Sequence, residues 1–266
     1  MLDGERAVSM PDELATEEPL TIRLLAAGRQ RDIAVTLRTP GADEELAAGF
    51  LFCEGVVSRP QELLRLTATR AEESGGTTAV VAELSSGIDP GRAPLERHFF
   101  IASACGLCGR ASLDGLRAPW RARPGVPRVP LDVLYSLPAR LRRGQDVFQA
   151  TGGLHAAALF TPSGELAAGR EDVGRHTALD KLIGWGRLGG RLPFAEGIVL
   201  VSGRASYEVA QKCLAAGAPI VCSVSAPSSL AVAVARENGL TLVGFLRDRR
   251  LNVYAGEERI SGLGPR

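Results

Sequence analysis

"GIVLVSGRASYEVAQKCLAAGAPIVCSVSAPSSLAVAVARENGLTLVGFL", residues 197–246, switches repeatedly between two hydrophobic periods. "GIVLVS", "PIVCSV" and "LTLVGFL" are short and almost continuously apolar. "SYEVAQKCLAAG" and "PSSLAVAVAREN" carry apolar residues at helical spacing, the second with Pro227 near its start and Gly239 just past its end. Strands covered on both faces read as unbroken apolar runs, so this alternation predicts a mainly parallel sheet with helices on both sides, an α/β fold. Upstream, "LHAAALF" (154–160) reads as another buried strand and "DVGRHTALDKLIGWG" (172–186) as an amphipathic helix. Residues 131–266 are the expected C-terminal α/β domain.

The rest of the chain has a different texture. "LTIRLLAAGRQRDIAVTLRT" (20–39) is two strand-like runs around a glycine turn, a hairpin. "GADEELAAGFLFCEG" (41–55) is a helix with acids in its first turn and Gly55 at its end. "TTAVVAEL" (77–84) is a further strand. Residues 18–101 are thus expected to form a smaller α+β domain, behind a flexible tail at 1–17. "APWRARPGVPRVP" (118–130) is too rich in proline for a regular helix or central strand. Residues 102–130 are expected to be a mobile connection, with Arg117, Arg121, Arg123 and Arg128 along it.

With 31 basic and 30 acidic residues the net charge is +1, which gives no bulk electrostatic case for nucleic acid or an anionic membrane. No apolar run reaches the roughly 18 residues of a membrane span. The acidic N-terminus has no apolar core of a signal peptide, so the expected compartment is the cytoplasm, where thiols stay reduced.

Any anion site must therefore be local. In sheets of this class ligands sit beyond the carboxyl ends of the strands. Those ends are Ser202-Gly203-Arg204, then Ser223-Val224-Ser225 with Pro227-Ser228-Ser229, then Leu246-Arg247-Asp248-Arg249-Arg250. Two of the runs open helices, whose free N–H groups attract phosphate. Gly203 permits close backbone approach, and Arg204, Arg247 and Arg249 supply charged donors. If the 172–186 helix begins near Asp172, then Asp172, His176 and Asp180 share one face, and two carboxylates flank an imidazole. His155 enters a buried strand just after Gly152-Gly153.

Five cysteines divide into two kinds. Cys53, Cys213 and Cys222 lie in apolar helical or strand patterns and read as small buried hydrophobes. Cys105 and Cys108, in "SACGLCGRAS", sit among small residues as in an exposed loop. A zinc pair, a redox disulfide and a sulfur carrier all remain open for them. Zinc needs four ligands, and there is no second CxxC and no deaminase-type H-x-E with P-C-x-x-C. Glycines follow both thiols and no strong helix does, unlike a thioredoxin-type site. Arg110 beside them favours a thiolate.

"CGLCGRAS", "TGGLHAAAL", "REDVGRHTALDKLIG", "SGRASYEVAQK", "PIVCSVSAPSSLAV" and "FLRDRRLNVYAG", in that order, resemble the FdhD family of formate dehydrogenase accessory sulfurtransferases over residues 18–256. The resemblance implies a cytoplasmic sulfur carrier, often a homodimer. It would accept persulfide sulfur from a cysteine desulfurase and pass it to Mo-bis(molybdopterin guanine dinucleotide), destined for the formate dehydrogenase catalytic subunit. A guanine nucleotide would be a partial mimic of that cofactor. The resemblance also implies a C-terminal domain of cytidine-deaminase-like, three-layer fold without the zinc signature. It puts the persulfide on Cys105, matches Cys108 to the second cysteine, and puts cofactor binding on Phe245, Leu246, Arg247, Asp248, Arg249 and Arg250. Two rival functions are a cofactor chaperone that moves no sulfur and a zinc-stabilised binding module.

Overall fold

Apolar alternation on either side of Ala27-Gly28 produces the expected hairpin. The structure, a computed structural model, describes residues 2, 3, 6, 7, 9, 11–69, 78–85, 100, 101 and 128–264. Strand β1 (Glu18–Ala26) pairs antiparallel with β2 (Arg29–Arg38), and Ala27 (φ 48°) and Gly28 (φ 74°) make the two-residue turn. Helix α1 (Asp43–Cys53) follows, then β3 (Leu63–Thr69), β4 (Ala79–Leu84) and β5 (Phe100–Ile101). The sheet order is β3-β4-β1-β2-β5. Strand β3 was not foreseen: "LLRLTAT" is an exposed edge without a clean apolar face. Within the N-terminal tail, Leu2–Asp3 pairs with Arg6–Ala7.

The C-terminal part opens with α2 (Leu131–Arg143) and α3 (Asp146–Thr151), neither anticipated. Then come β6 (His155–Phe160), β7 (Leu166–Asp172), α4 (Arg175–Leu188), β8 (Ile198–Val201), α5 (Tyr207–Ala215), β9 (Ile220–Ser223), α6 (Ser229–Glu237), β10 (Thr241–Arg247) and β11 (Arg250–Ala255). The sheet order is β7-β6-β8-β9-β10-β11. Only β8, β9 and β10 run parallel; β6, β7 and β11 join antiparallel. The expected mainly parallel sheet is corrected to a mixed one. Two short links, one of them Asp248-Arg249, turn the chain straight back, and neither contains the Asn-Gly or Asp-Gly pair that marks such turns.

Alternate side chains of the central strands face opposite layers. Ala157, Leu159, Val199, Val201, Val221 and Leu242 join a core with α4, α5 and α6. Ala156, Ala158, Phe160, Ile198, Leu200, Ile220, Cys222 and Val243 join a core with Leu134, Leu137 and Leu141 of α2. The result is three layers, helix, sheet, helix, each fully buried Leu or Ile contributing about 1.5–3 kcal/mol.

The two units share one core, which runs from Leu20 and Leu51 to Leu182 and Val209. Helix α1 crosses α4 at glycines: a Cβ on Gly49 would overlap the Asp180 carbonyl, and one on Gly184 the Glu45 carbonyl. Beside this crossing, Thr39 at the end of the β1–β2 hairpin is tied to the β7–α4 junction. Its N–H donates to Asp172 Oδ2 at 3.1 Å, its hydroxyl accepts from Val173 N–H at 3.2 Å, and its carbonyl accepts from Lys181 Nζ at 2.8 Å.

Candidate functional site

The carboxyl ends of β8, β9 and β10 lie side by side because the strands are parallel and in register. Hydrogen bonds then join the turns beyond them. Ser223 Oγ donates to Gly203 O at 2.7 Å and accepts from Ser225 N–H at 3.1 Å. Phe245 N–H donates to Ser225 O at 3.0 Å, and Ser228 N–H to Ala205 O at 2.9 Å. The three runs singled out in the sequence therefore form one edge.

Not every residue on that edge is free for a ligand. Ser223 is fully buried and its hydroxyl holds the two turns together, so it is corrected to a structural residue. Ser202 Oγ accepts from Ala156 N–H at 2.9 Å and extends the β6–β8 pairing. Ser228 Oγ caps α6 by accepting from Ala231 N–H at 3.2 Å. Leu246 is also fully buried, in the α2-side core, and is likewise corrected. Arg204, Arg247, Asp248, Arg249 and Arg250 are exposed, and Ser225 and Phe245 are half-buried.

The β10–β11 turn is backbone-strained. Phe245 (φ 53°), Asp248 (φ 49°) and Arg249 (φ 58°) all occupy the left-handed region without being glycine. Each costs about 1 kcal/mol or more, and such strain concentrates where a chain presents a functional surface. Arg249 is braced against α2: it donates to Asp132 Oδ1 at 3.0 Å and lies 5.2 Å from the centroid of the Tyr135 ring.

A second basic cluster surrounds Gly203. A Cβ there would lie 3.3 Å from His155 Nδ1 and 3.4 Å from Arg175 Cβ. The expected His176 constellation is corrected. Asp172 ends β7 instead of opening the helix, and α4 begins at Arg175. Asp172 accepts from Gly174 N–H at 2.9 Å and Thr177 Oγ1 at 2.7 Å and pairs with Lys181 at 2.7 Å. Asp180 pairs instead with Lys212. The partner of His176 is Glu208, at 2.9 Å from Nε2, with Ser206 Oγ at 3.2 Å. Sequence spacing missed Glu208 because it comes from α5. Burial would raise the Glu208 carboxyl, but the His176 hydrogen bond, with His176, Lys212 and Arg175 near it, holds it below its ordinary value. Of the other polar residues in "GRED", Arg170 binds Glu45 of α1 at 2.5 and 2.7 Å, and Glu171 accepts from Phe148 N–H at 3.0 Å at the start of α3.

Lys212 Nζ donates to both Asp180 oxygens, at 2.6 and 2.8 Å, with both side chains almost fully enclosed. Burial opposes the charge on Lys212, and Asp180 outweighs it, so the ammonium is held above its ordinary range. Lys212→Met is expected to destabilise the fold by about 3–5 kcal/mol, since it leaves a carboxylate buried alone. Lys212→Met combined with Asp180→Leu should recover much of that loss in denaturant unfolding.

Cys53, Cys213 and Cys222 are buried, as expected. Burial pushes all three thiols up, Cys222 to about 12, so none is a ready thiolate. Cys105, Cys108 and the arginines from Arg110 to Arg123 lie outside the described residues. Arg128 is described; its Nε donates to Glu258 O at 3.1 Å. A groove of about 780 Å³, lined by Glu18, Arg38, Asp43, Glu44 and Glu45 among others, includes none of the residues at the carboxyl ends of β8, β9 and β10. Among the described residues no three His, Cys, Asp or Glu side chains are grouped to hold a metal ion, and no helix is long and apolar enough to cross a membrane.

Residues 15–261 match the FdhD/NarQ family. A relative named sulfur carrier protein FdhD from Streptomyces avermitilis is 51% identical over 257 residues, covering 94% of this chain and 90% of its own. One of the same name from Mycobacterium tuberculosis is 44% identical over 268 residues, covering 98% and 96%. The crystal structure of a Desulfotalea psychrophila protein assigned as a formate dehydrogenase accessory protein superposes with a TM-score of 0.72 at 27% identity, covering 94% of this chain and 92% of that one.

Proposed function

The chain belongs to the FdhD/NarQ family, and we propose that it carries sulfur on Cys105 from a cysteine desulfurase to Mo-bis(molybdopterin guanine dinucleotide), the form of the cofactor destined for formate dehydrogenase. The observation that supports this most is an elimination. A sulfur carrier needs an accessible thiolate, and three of the five cysteines are buried with raised thiols. That leaves the Cys105–Cys108 pair. The names of the relatives agree with the role.

In the first step the Cys105 thiolate attacks the outer sulfur of the donor persulfide. A Cys105 persulfide forms, and the donor cysteine leaves as thiolate. In the second, the Cys108 thiolate attacks the inner sulfur of that persulfide. A Cys105–Cys108 disulfide forms and hydrosulfide leaves, the two electrons coming from the cysteine pair. Hydrosulfide then replaces an oxo ligand of the molybdenum substrate, which leaves as hydroxide. The strand edge supplies the complementary half of the site. Arg204, Arg247 and Arg249, with the backbone at Gly203 and the N-terminus of α5, are suited to hold the phosphates of the guanine dinucleotide. His176, fixed by Glu208, adds a donor.

Binding of guanosine diphosphate as the mimic tests the placement. Charged hydrogen bonds contribute about 1.5–3 kcal/mol each, so Arg247→Ala with Arg249→Ala should weaken it by about a hundredfold or more in calorimetry. Unchanged affinity would put the phosphates elsewhere.

A further inference from the structure

The strand edge holds one more basic group than the hydroxyl-rich turns account for. His155 opens β6, half-buried, and its Nδ1 and the Arg175 side chain both lie against Gly203. We propose that His155 is a ligand-contacting residue of this rim, taking up a proton when a phosphate dianion arrives and donating a hydrogen bond to it. The proposal rests on the strand edge being the phosphate-holding site.

Every element packed around the imidazole contributes a charge. Arg175 and His176 face it from α4, and Arg204 from the turn after β8. Asp172, its register partner on β7, opposes them but is already paired with Lys181. Glu208 of α5 is engaged with His176. Burial first, and then the neighbouring Arg175, His176 and Arg204, hold the His155 imidazole below its ordinary value, which keeps it neutral near neutrality. A further permanent cation in this half-buried place would be repelled by Arg175 and Arg204. A titratable one becomes charged only when the ligand's charge makes it favourable. Phosphate brings two negative charges into the space these cations share and reverses the local field, so the imidazolium becomes the favoured form. The Nε2 of His176 is turned to the Glu208 carboxylate, at 2.9 Å. Linkage then requires affinity to rise as pH falls between the free and bound values of His155, by up to about tenfold per pH unit.

Calorimetry of guanosine diphosphate binding near pH 7, in two buffers of different ionisation heat, counts the protons taken up. Proton changes on the nucleotide itself are common to all forms of the protein and cancel in comparisons between them. The full-length chain is expected to take up more protons per nucleotide than His155→Gln, by up to about one, and to gain more affinity than that variant between about pH 8 and pH 6. Equal uptake in the parent and His155→Gln, with nucleotide still bound by both, overturns the inference while leaving the site intact. No nucleotide binding by any form at any pH removes the site itself, and the inference with it.

Discussion

Gly184→Ala is expected to destabilise the protein by about 3 kcal/mol or more, although alanine is the better helix former by about 1 kcal/mol. The reason is the α1–α4 crossing. The new methyl would overlap the Glu45 carbonyl, a backbone atom that cannot rotate aside, so the helices must separate. Overpacking a core costs about 1–3 kcal/mol where side chains can yield, and more where they cannot. Separation also loosens the core that joins the N-terminal sheet to the C-terminal one, and strains the Arg170–Glu45 pair beside it. Against a usual total of 5–15 kcal/mol this is a large fraction. Gly49→Ala should behave alike from the other side, since its methyl would overlap the Asp180 carbonyl. Once one methyl has parted the helices the second finds room, so the double variant should lose clearly less than the sum of the singles. Denaturant unfolding measures all three; parent-like midpoints would mean the helices do not cross at these glycines.

The central strands were legible because their apolar runs leave no other period open. The hairpin around Gly28 and the helix ending before Gly55 were legible from turn and capping residues. What stayed hidden had weak local signals. Strand β3 is an exposed edge, and the Asp248-Arg249 turn reverses the chain with residues that seldom do so, which concealed the antiparallel β11. The same limit applied to the site. The arginines at the strand ends stand out by topology, but periodicity alone does not show that Asp172 ends a strand and so pairs His176 with the wrong carboxylates. Glu208 is thirty-two positions away from it along the chain and meets it only through α5 packing on α4. Ser223 and Leu246 lie on the strand edge but are fully buried, which turn chemistry alone does not distinguish from exposure.

Cys105→Ala is expected to abolish formate dehydrogenase maturation in cells that depend on this protein, with the folded stability and guanosine diphosphate affinity of the parent. None of the three buried cysteines can take over. Transfer needs a nucleophile that is ionised at neutral pH, and the thiols of Cys53, Cys213 and Cys222 are all pushed up by burial within the two cores. Cys108→Ala should leave persulfide formation intact and slow the release of hydrosulfide, because only the second step uses that sulfur. A chaperone that merely escorts the cofactor, with the cysteines docking it, would instead acquire no label from a sulfur-labelled desulfurase.

The most direct measurement is the mass of the intact chain and of its cysteine peptides after incubation with a cysteine desulfurase and cysteine. One added sulfur on the peptide bearing Cys105, absent from Cys105→Ala, is the expected result. No added sulfur anywhere, or sulfur found on Cys53, Cys213 or Cys222, would contradict a carrier built on Cys105.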